Sequence, residues 1–309
     1  MITEQGVAVL GATGPVGYEI VSRLLRAGTR PMAVSRSDGK LAALREANPG
    51  VRVKAIDLTK EPVPLREVGD SHRTFIVCAG VDPANLSLQT EIIKNVIAAK
   101  PKRLIYISSC WSYTPLVSEV IDENHPRAAT GAIKHRAAAE DAVVGAGGTV
   151  LHVPDFYGPR VHTSPLQHVI SNALNKERVT WPANRDVVRE HVFIGDLGEI
   201  VTRSIEAAPQ GRFIVPGSGP ISFGEMIGQL EAVLDRPIRS LSLGRIPTPI
   251  LRLIDPWSRH LGEALDEYRK PVRYNGSLLR SHIGNPPTTR YEDGISSTIE
   301  WMRATKASA

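Results

Sequence analysis

Short apolar stretches rich in β-branched residues alternate, over the first half of the chain, with longer stretches whose apolar residues recur at helical spacing. Strands that are apolar throughout are typical of a parallel sheet that helices cover on both faces. The pattern therefore predicts an α/β fold built on a doubly wound parallel sheet. The predicted strands are Val7–Leu10, Pro31–Ser35, Val51–Ile56, Thr74–Cys78, Leu104–Ser108 and Thr149–Val153.

After Val153 the alternation gives way to segments rich in proline, glycine and histidine, which predict a second, smaller lobe. A strand-like stretch at 191–194 and a helical stretch at 196–207 predict a return to the main sheet, with a further strand at 212–215. We therefore predict that the two domains are interleaved. The sheet domain is predicted to comprise residues 1–155 and 190–215, and the C-terminal substrate lobe residues 156–189 and 216–309.

The composition argues against several classes of partner. The 309 residues carry 37 Lys+Arg and 32 Asp+Glu, but no five-residue run is basic and aromatic residues make up only 5%, so nucleic-acid binding is disfavoured. Cys78 and Cys110 form no metal-ligand spacing, and no apolar stretch approaches the roughly 20 residues that cross a bilayer. We predict a cytoplasmic protein that acts on a small molecule and has no metal, membrane or nucleic-acid partner.

A glycine-rich turn follows the first predicted strand and opens an amphipathic helix. Glycine permits positive φ and close approach of a ligand to the backbone, while the N-terminus of the helix offers free N–H groups to a diphosphate. A proline in the first helical turn sacrifices no hydrogen bond. This context predicts a dinucleotide site, although a tight turn without a ligand would use some of the same residues. The predicted contacts from this turn are Gly11, Thr13, Gly14, Pro15, Val16 and Gly17.

The GxxGxxG spacing of this turn belongs to a wider resemblance. Matching stretches are Asp57-Leu58, Ala79-Gly80, Ile105–Ser109, Phe156–Pro159 and Arg189–Asp196. The chain resembles short-chain dehydrogenases/reductases of the extended type, in particular NAD(P)-dependent epimerases and dehydratases. The resemblance implies a Rossmann sheet, Asp57 and Leu58 beside the adenine, Ala79 and Gly80 under the cofactor ribose, and a possible homodimer.

The end of the second predicted strand bears on the choice of cofactor. An acid there suits the ribose hydroxyls of NAD, whereas a base suits the 2′-phosphate of NADP. The chain has Arg36 followed by Ser37, and both can donate hydrogen bonds to a phosphate. Asp38 follows two residues later and could serve a ribose if the strand ended late. We expect NADP(H) in preference to NAD(H).

The Tyr-x-x-x-Lys pair that this family uses for proton transfer is missing. No tyrosine of the chain has a lysine four residues later, and the segment resembling the motif runs from Thr130 to Lys134. The resemblance implies that Lys134 holds the nicotinamide ribose and that Thr130 replaces the tyrosine. A threonine hydroxyl is too weak an acid to take over from a phenol, and Thr130 could instead cap its helix.

Other residues are candidates for the chemistry. Members of the family that the chain resembles have a serine or threonine that contacts the substrate. The resemblance implies that Cys110 occupies this position here, and the neighbouring Ser109 and Ser112 could replace it. Tyr113 could supply the missing proton, although its sequence context favours a packing role. We predict an NADPH-dependent oxidoreductase that reduces a carbonyl, imine or conjugated alkene. The alternatives are a redox-silent NADP(H)-binding protein and a nucleotide-sugar epimerase or dehydratase.

Overall fold

A seven-stranded parallel sheet forms the centre of the protein. The computed structural model describes residues 6–60, 65–68, 72–80, 85–127, 133–254 and 264–307. The strands of the sheet are β1 Val7–Leu10, β2 Met32–Ser35, β3 Arg52–Ala55, β4 Thr74–Val77, β5 Arg103–Ser109, β7 Thr149–Val153 and β12 Gly211–Ile214. They are ordered β12-β7-β5-β4-β1-β2-β3, and every neighbouring pair is parallel. The predicted strands therefore exist, with ends that differ by about one residue, and the doubly wound sheet is confirmed.

Helices cover both faces of the sheet. The helices of this domain are α1 Pro15–Arg26, α2 Asp38–Ala47, α3 Ser87–Ala98, α4 Ile133–Gly145 and α6 Ile194–Ala207. Helices α1 and α6 pack together on one face, and α3 and α4 pack together on the other. Each helix buries its apolar residues against the sheet, for example Ile20 and Leu24 of α1 and Ile93 and Val96 of α3.

A smaller lobe with a separate apolar core is built from helices and short strands. The remaining strands are β6 Val120–Ile121, β8 Phe156–Tyr157, β9 Val179–Trp181, β10 Val188–Glu190, β11 Val192–Phe193, β13 Pro220–Ser222, β14 Ser240–Ser242 and β15 Arg273–Tyr274. The remaining helices are α5 Pro165–Leu174, α7 Phe223–Leu234, α8 Thr248–Ile254, α9 Ala264–Tyr268, α10 Ser277–Ile283 and α11 Tyr291–Ala307. Trp181 and Phe223 stack at the centre of the lobe core, with ring centroids 5.4 Å apart.

The return to the main sheet differs from the sequence prediction. The stretch 191–194 was expected to rejoin the sheet, but β11 pairs with β8 in a separate two-stranded sheet. Among the described strands that follow β7, β12 alone rejoins the main sheet, by pairing with β7. Leu279 and Ile283 of α10 also lie in the sheet core, although they fall within the predicted substrate lobe. The domain boundaries themselves stay a prediction.

None of the helices in the described part of the chain combines the length and the apolar character that crossing a bilayer requires.

Candidate functional site

The glycine turn joins β1 to α1 at the carboxyl edge of the sheet. The N–H groups of Gly11 and Ala12 both donate to the carbonyl oxygen of Val34, at 2.9 and 3.1 Å, and so attach the turn to the end of β2. Gly14 is the N-cap of α1 and provides no side-chain cap, and the first turn of the helix contains no acidic residue. The positive end of the helix dipole is therefore left for a ligand.

The three glycines of the turn are needed for different reasons. A β-carbon on Gly11, whose φ is +87°, would lie 2.6 Å from the backbone nitrogen of Ala79, and one on Gly17 would collide with the carbonyl oxygen of Gly11. A β-carbon on Gly14 would meet no protein atom closer than 3.5 Å. Packing of the protein therefore explains Gly11 and Gly17 but does not explain Gly14, which borders open space.

That space is a cavity of about 420 Å³, which we call the glycine-turn cavity. It runs along the carboxyl ends of β1, β2 and β4. Most of the predicted cofactor contacts line it: Gly11, Thr13, Gly14, Arg36, Ser37, Asp57, Leu58, Ala79 and Gly80. A cavity that begins at a free helix N-terminus and continues past the end of β2 lies where doubly wound sheets bind dinucleotides.

Two cations line this cavity where β2 ends. Arg36 is exposed, and Lys40 of α2 also contributes to the wall. Ser37 caps α2 by accepting a hydrogen bond from the backbone nitrogen of Lys40. Asp38 is exposed in the first turn of α2, where it complements the helix dipole, and it does not line the cavity. The charge facing the cavity from this end of α2 is therefore positive.

Asp57 forms a turn as well as lining the cavity. Its Oδ1 accepts hydrogen bonds from the hydroxyl of Thr59 at 2.7 Å and from the backbone nitrogen of Thr59 at 3.0 Å. These bonds, and to a smaller extent the nearby charges of Lys60 and Arg36, lower the pKa of Asp57. Asp57 is thus held as a carboxylate at the cavity wall, just after the end of β3.

A second cavity, of about 190 Å³, begins where the first one ends. We call it the β5 cavity. It shares Cys78, Ala79 and Gly80 with the glycine-turn cavity, so the two form one continuous groove. Its polar wall consists of Gln89, Ser108, Ser109, Arg136 and Asp155, with Tyr106 beside them.

Helix α4 presents Arg136 to the β5 cavity and keeps Lys134 away from it. The side chain of Lys134 is exposed, and it lines neither cavity. Because successive helical residues turn by about 100°, positions 134 and 136 point in nearly opposite directions. No hydrogen bond or ion pair of the Arg136 side chain occurs among the described residues. The contact predicted between Lys134 and the ribose stays a prediction, but Arg136 is the cation of α4 that faces the groove.

Of the other predicted catalytic residues, Ser109 lines the β5 cavity, whereas Cys110 and Tyr113 do not. Cys110 is buried, its thiol donates to the carbonyl oxygen of His152, and burial raises its pKa well above the usual value. Tyr113 is completely buried, and burial likewise raises the pKa of its hydroxyl. Thr130 lies outside the described residues, and its proposed replacement of the tyrosine stays a prediction.

Behind Ser108 lies a buried polar network around Glu140, which is completely buried on α4. Glu140 Oε1 accepts hydrogen bonds from the hydroxyls of Ser108 and Ser112, both at 2.5 Å. Glu140 Oε2 accepts one from Arg127 Nη1 at 2.8 Å. We define the Glu140 network as Ser108, Ser112, Tyr113, Arg127, Glu140 and His152.

The imidazole of His152 lies between Glu140 and Tyr113 in this network. His152 Nε2 lies 3.2 Å from Glu140 Oε2, at ion-pair distance but without hydrogen-bond geometry, and Nδ1 lies 3.2 Å from the hydroxyl of Tyr113. Burial raises the pKa of Glu140, but His152 and the two serine hydroxyls more than offset this and lower it to about 2. Glu140 is therefore ionised at neutral pH. The hydroxyls of Ser108 and Ser112 donate to its carboxylate and are not free to donate to a ligand. The network fixes the end of β5 that forms the cavity wall.

The lobe contributes a second buried imidazole, His191, which predicts how stability depends on pH. His191 is completely buried, and burial lowers its pKa to about 4, an effect that the charge and backbone of Asp155 offset only in part. The unfolded chain binds this proton near pH 6.5, so between about pH 6.5 and 4 the unfolded state holds more protons. The free energy of unfolding should therefore fall as the pH is lowered through this window.

We expect His191→Phe to remove roughly 3 kcal/mol of the difference in unfolding free energy between pH 7 and pH 4. Denaturant titrations at both pH values would measure this. The exposed His162 provides the control, because His162→Phe should leave the pH dependence unchanged. Equal slopes in the wild type and His191→Phe would contradict a neutral buried imidazole.

Sequence reasoning missed three site residues. Lys40 gave no signal because an exposed lysine in a first helical turn is common. Arg136 could have been found from its i,i+4 spacing to Glu140, since both then face the sheet. Asp155 lies two residues after the end of β7, at the carboxyl edge where doubly wound sheets bind ligands, and its position there could have indicated a role.

Comparison with known proteins agrees with this geometry. Residues 11–147 match the family of NAD(P)H-binding domains. This match contains the glycine turn, both cations at the end of β2 and most of the β5 cavity. A comparison with curated protein sequences finds no significant match.

Solved structures share the fold over almost the whole chain. A candidate epimerase from Burkholderia cenocepacia is 20% identical, with a TM-score of 0.79 over 98% of this chain and 100% of that one. The dTDP-glucose 4,6-dehydratase of Bacillus anthracis, solved with NAD, is 12% identical, with a TM-score of 0.78 over 98% of both chains. The UDP-glucuronic acid 4-epimerase of Bacillus cereus, solved with NAD, is 14% identical, with a TM-score of 0.77 over 97% of this chain and 99% of that one. The predicted resemblance to NAD(P)-dependent epimerases and dehydratases is confirmed in the fold.

Proposed function

We propose that this chain, which has the fold of NAD(P)-dependent epimerases and dehydratases, is an NADP(H)-dependent oxidoreductase acting on a small molecule in the β5 cavity. The observation that carries the proposal is Gly14. No packing contact of the protein requires a glycine there, but a diphosphate at the N-terminus of α1 does. A bound nicotinamide nucleotide would supply hydride chemistry at the shared end of the two cavities.

The residues of the groove would divide the work of holding the nucleotide. The first turn of α1 would bind the diphosphate, and Leu58 and Asp57 would flank the adenine. Arg136 would reach the nicotinamide ribose from α4, in the role that sequence reasoning gave to Lys134. Ser109 and Asp155 would remain for the substrate.

The preference for NADP(H) is supported by Arg36 and Lys40, which both line the groove at the end of β2. We expect the double variant Arg36→Ala/Lys40→Ala to weaken NADPH binding by about 100-fold, because two charge-assisted hydrogen bonds to the 2′-phosphate are lost. NADH has no such phosphate and should lose less than about threefold. Fluorescence titration with both nucleotides measures the two affinities.

The matched control for this pair is Asp38→Asn, a charge change on the same turn that does not face the groove. It should leave both affinities unchanged. An equal loss of NADPH and NADH affinity in the double variant would show that these cations act elsewhere than on the 2′-phosphate.

Hydride transfer is tested by incubating the protein with NADPH and a panel of ketones, aldehydes, imines and enones. Loss of the reduced-nicotinamide absorbance, with the product identified by mass spectrometry, supports the oxidoreductase. If NADPH binds but no member of the panel oxidises it, the protein is a redox-silent nucleotide-binding protein and the proposed function is wrong.

A second candidate is a nucleotide-sugar epimerase or dehydratase. It is favoured by the coverage of 97–98% with structures of such enzymes, which extends the likeness to the smaller lobe. The absence of a Tyr-x-x-x-Lys pair argues against it, because these reactions need a strong base. Conversion of a UDP- or dTDP-sugar without net change in the nucleotide would identify this activity.

A further inference from the structure

Asp155 is a carboxylate that the lobe holds in place at the wall of the β5 cavity. Its Oδ1 accepts a hydrogen bond from the indole nitrogen of Trp111 at 2.9 Å, and its Oδ2 accepts one from the hydroxyl of Tyr268. The rings of Trp111 and Tyr268 pack together, with centroids 5.3 Å apart. Asp155 is half-buried, so its remaining lone pairs are available on the cavity side.

Both donors to Asp155 are neutral, and both stabilise its ionised form. The indole N–H can only donate, so the carboxylate oxygen facing it must be an acceptor. The two contacts, one to each oxygen, hold the carboxyl group in one orientation at the cavity wall. The geometry therefore favours a fixed negative charge in the cavity.

The rest of the described cavity wall offers no group suited to donating a proton to substrate. Ser108 already donates to Glu140, and Ser109, like any aliphatic alcohol, is a very weak acid. Burial raises the pKa of the Tyr106 hydroxyl and of the Cys78 thiol, so both are weaker acids than in the free side chains. Arg136 does not deprotonate in proteins.

We infer that the substrate of this site reacts at a cationic nitrogen, as a protonated imine that is reduced to an amine, with Asp155 holding the positive charge. This inference rests on the proposed function and specifies its substrate class. The step balances without an acid from the protein. The hydride of NADPH forms the new C–H bond, the π electrons of C=N become the nitrogen lone pair, and NADP⁺ is left.

A carbonyl substrate fits this wall poorly. Its reduction develops negative charge on oxygen beside the carboxylate of Asp155, and that oxygen needs a proton in the same step. A protonated imine begins with the complementary charge and already carries its proton. In the reverse direction, Asp155 stabilises the positive charge that develops as an amine is oxidised.

Other charged or titratable groups near Asp155 are compatible with this assignment. Arg136 faces the same cavity from α4 and is assigned above to the nicotinamide ribose. The guanidinium of Arg189 is buried behind the aromatic pair, 4.4 Å from the centre of the Tyr268 ring, and donates to the carbonyl oxygens of Glu267 and Lys270. Buried His191 is uncharged at neutral pH. Asp155 is therefore the charge left for the substrate.

The first test is equilibrium binding, which does not depend on turnover. The probes are 1,2-dimethyl-1-pyrrolinium, a permanent cation, and cyclopentanone, a neutral ketone of similar size. Calorimetry with the NADP⁺-loaded protein should show binding of the cation at least about tenfold tighter than the ketone, because only the cation is attracted by the charge of the Asp155 carboxylate. Asp155→Asn should remove this preference, whereas Asp186→Asn, an exposed charge change elsewhere in the lobe, should keep it.

The second test is turnover of matched cyclic imines and ketones with NADPH. We expect higher kcat/KM for the imines, and a fall of about 100-fold for imines in Asp155→Asn with NADPH affinity unchanged. Reduction of 2-methyl-1-pyrroline should decline at high pH as the imine loses its proton, whereas reduction of the permanent cation should not. Tyr268→Phe keeps the carboxylate and the ring but removes one donor, so it should give a smaller loss of about tenfold.

The outcomes separate this inference from the proposed function. If ketones are reduced faster than the matched imines, or if Asp155→Asn leaves the preference for the cation intact, the inference is wrong and the oxidoreductase stands. If NADPH binds but neither class is reduced, both are wrong. Should Asp155→Asn fail to fold, the Tyr268→Phe variant and the two pyrroline probes with the wild type still decide the matter.

Discussion

Replacing Glu140 by alanine is expected to lower the free energy of unfolding by about 3–5 kcal/mol, the usual cost of removing one partner from a buried ionic cluster. Glu140 is completely buried and accepts from Ser108, Ser112 and Arg127. Without the carboxylate, two buried hydroxyls and one guanidinium nitrogen lose their acceptor, and each unmet donor keeps its desolvation cost. Denaturant unfolding measures the difference.

The adjacent residue on the same helix gives a matched control. Asp141 also accepts hydrogen bonds from Arg127, and from Arg212, but its side chain is 54% exposed. Asp141→Asn should cost at most about 1 kcal/mol, because solvent screens exposed ion pairs. If Glu140→Ala and Asp141→Asn cost the same, the buried network does not stabilise the fold as the contacts indicate.

Gly14→Val should strongly weaken nucleotide binding while leaving the fold almost unchanged. The φ of Gly14 is −76°, which any residue can adopt, and a β-carbon there meets no protein atom within 3.4 Å. The valine side chain would occupy the space in which the diphosphate approaches the backbone. Loss of two or more charge-assisted hydrogen bonds predicts a decrease in NADPH affinity of roughly 1,000-fold.

Substitutions at two other glycines serve as controls for the Gly14→Val variant. Gly39 lies in α2 with no atom near its missing β-carbon and does not line the groove, so Gly39→Val should preserve nucleotide affinity. Gly17→Ala should instead destabilise the protein by about 1–3 kcal/mol, because its β-carbon collides with the backbone of Gly11. Wild-type affinity in Gly14→Val would rule out a diphosphate at this turn.

The parts of the fold that sequence predicted are those with a local signal. Strands such as β1 and β4 are buried on both faces, so they consist almost wholly of apolar residues. The paired strands β8 and β11 have only two residues each. Such short strands have no periodicity to detect, and their pairing depends on contacts between distant parts of the chain. This explains why the stretch 191–194 was assigned to the wrong sheet.

The residues of the candidate site likewise fall into those with a local sequence signal and those without one. The glycine turn and Arg36 are recognisable because each needs only its neighbours in sequence. Arg136 was missed because the resemblance directed attention to Lys134, and only the rotational position of α4 distinguishes the two. Asp155 acquires its meaning from Trp111 and Tyr268, which lie 44 and 113 residues away in sequence. No local pattern reports such a contact.

The wide spacing in sequence of the residues in the lobe core affects when the lobe can fold during synthesis. Tyr157, Trp181, Phe223 and Ile295 lie together in that core although they come from widely separated stretches of the chain. During synthesis from the N-terminus, the main sheet is complete once β12 has left the ribosome. The lobe must wait for α11, which packs against α5 and α7. In the interval, the large aromatic side chains of the lobe lack part of their cover, so we expect the nascent chain to be most prone to aggregation at this stage.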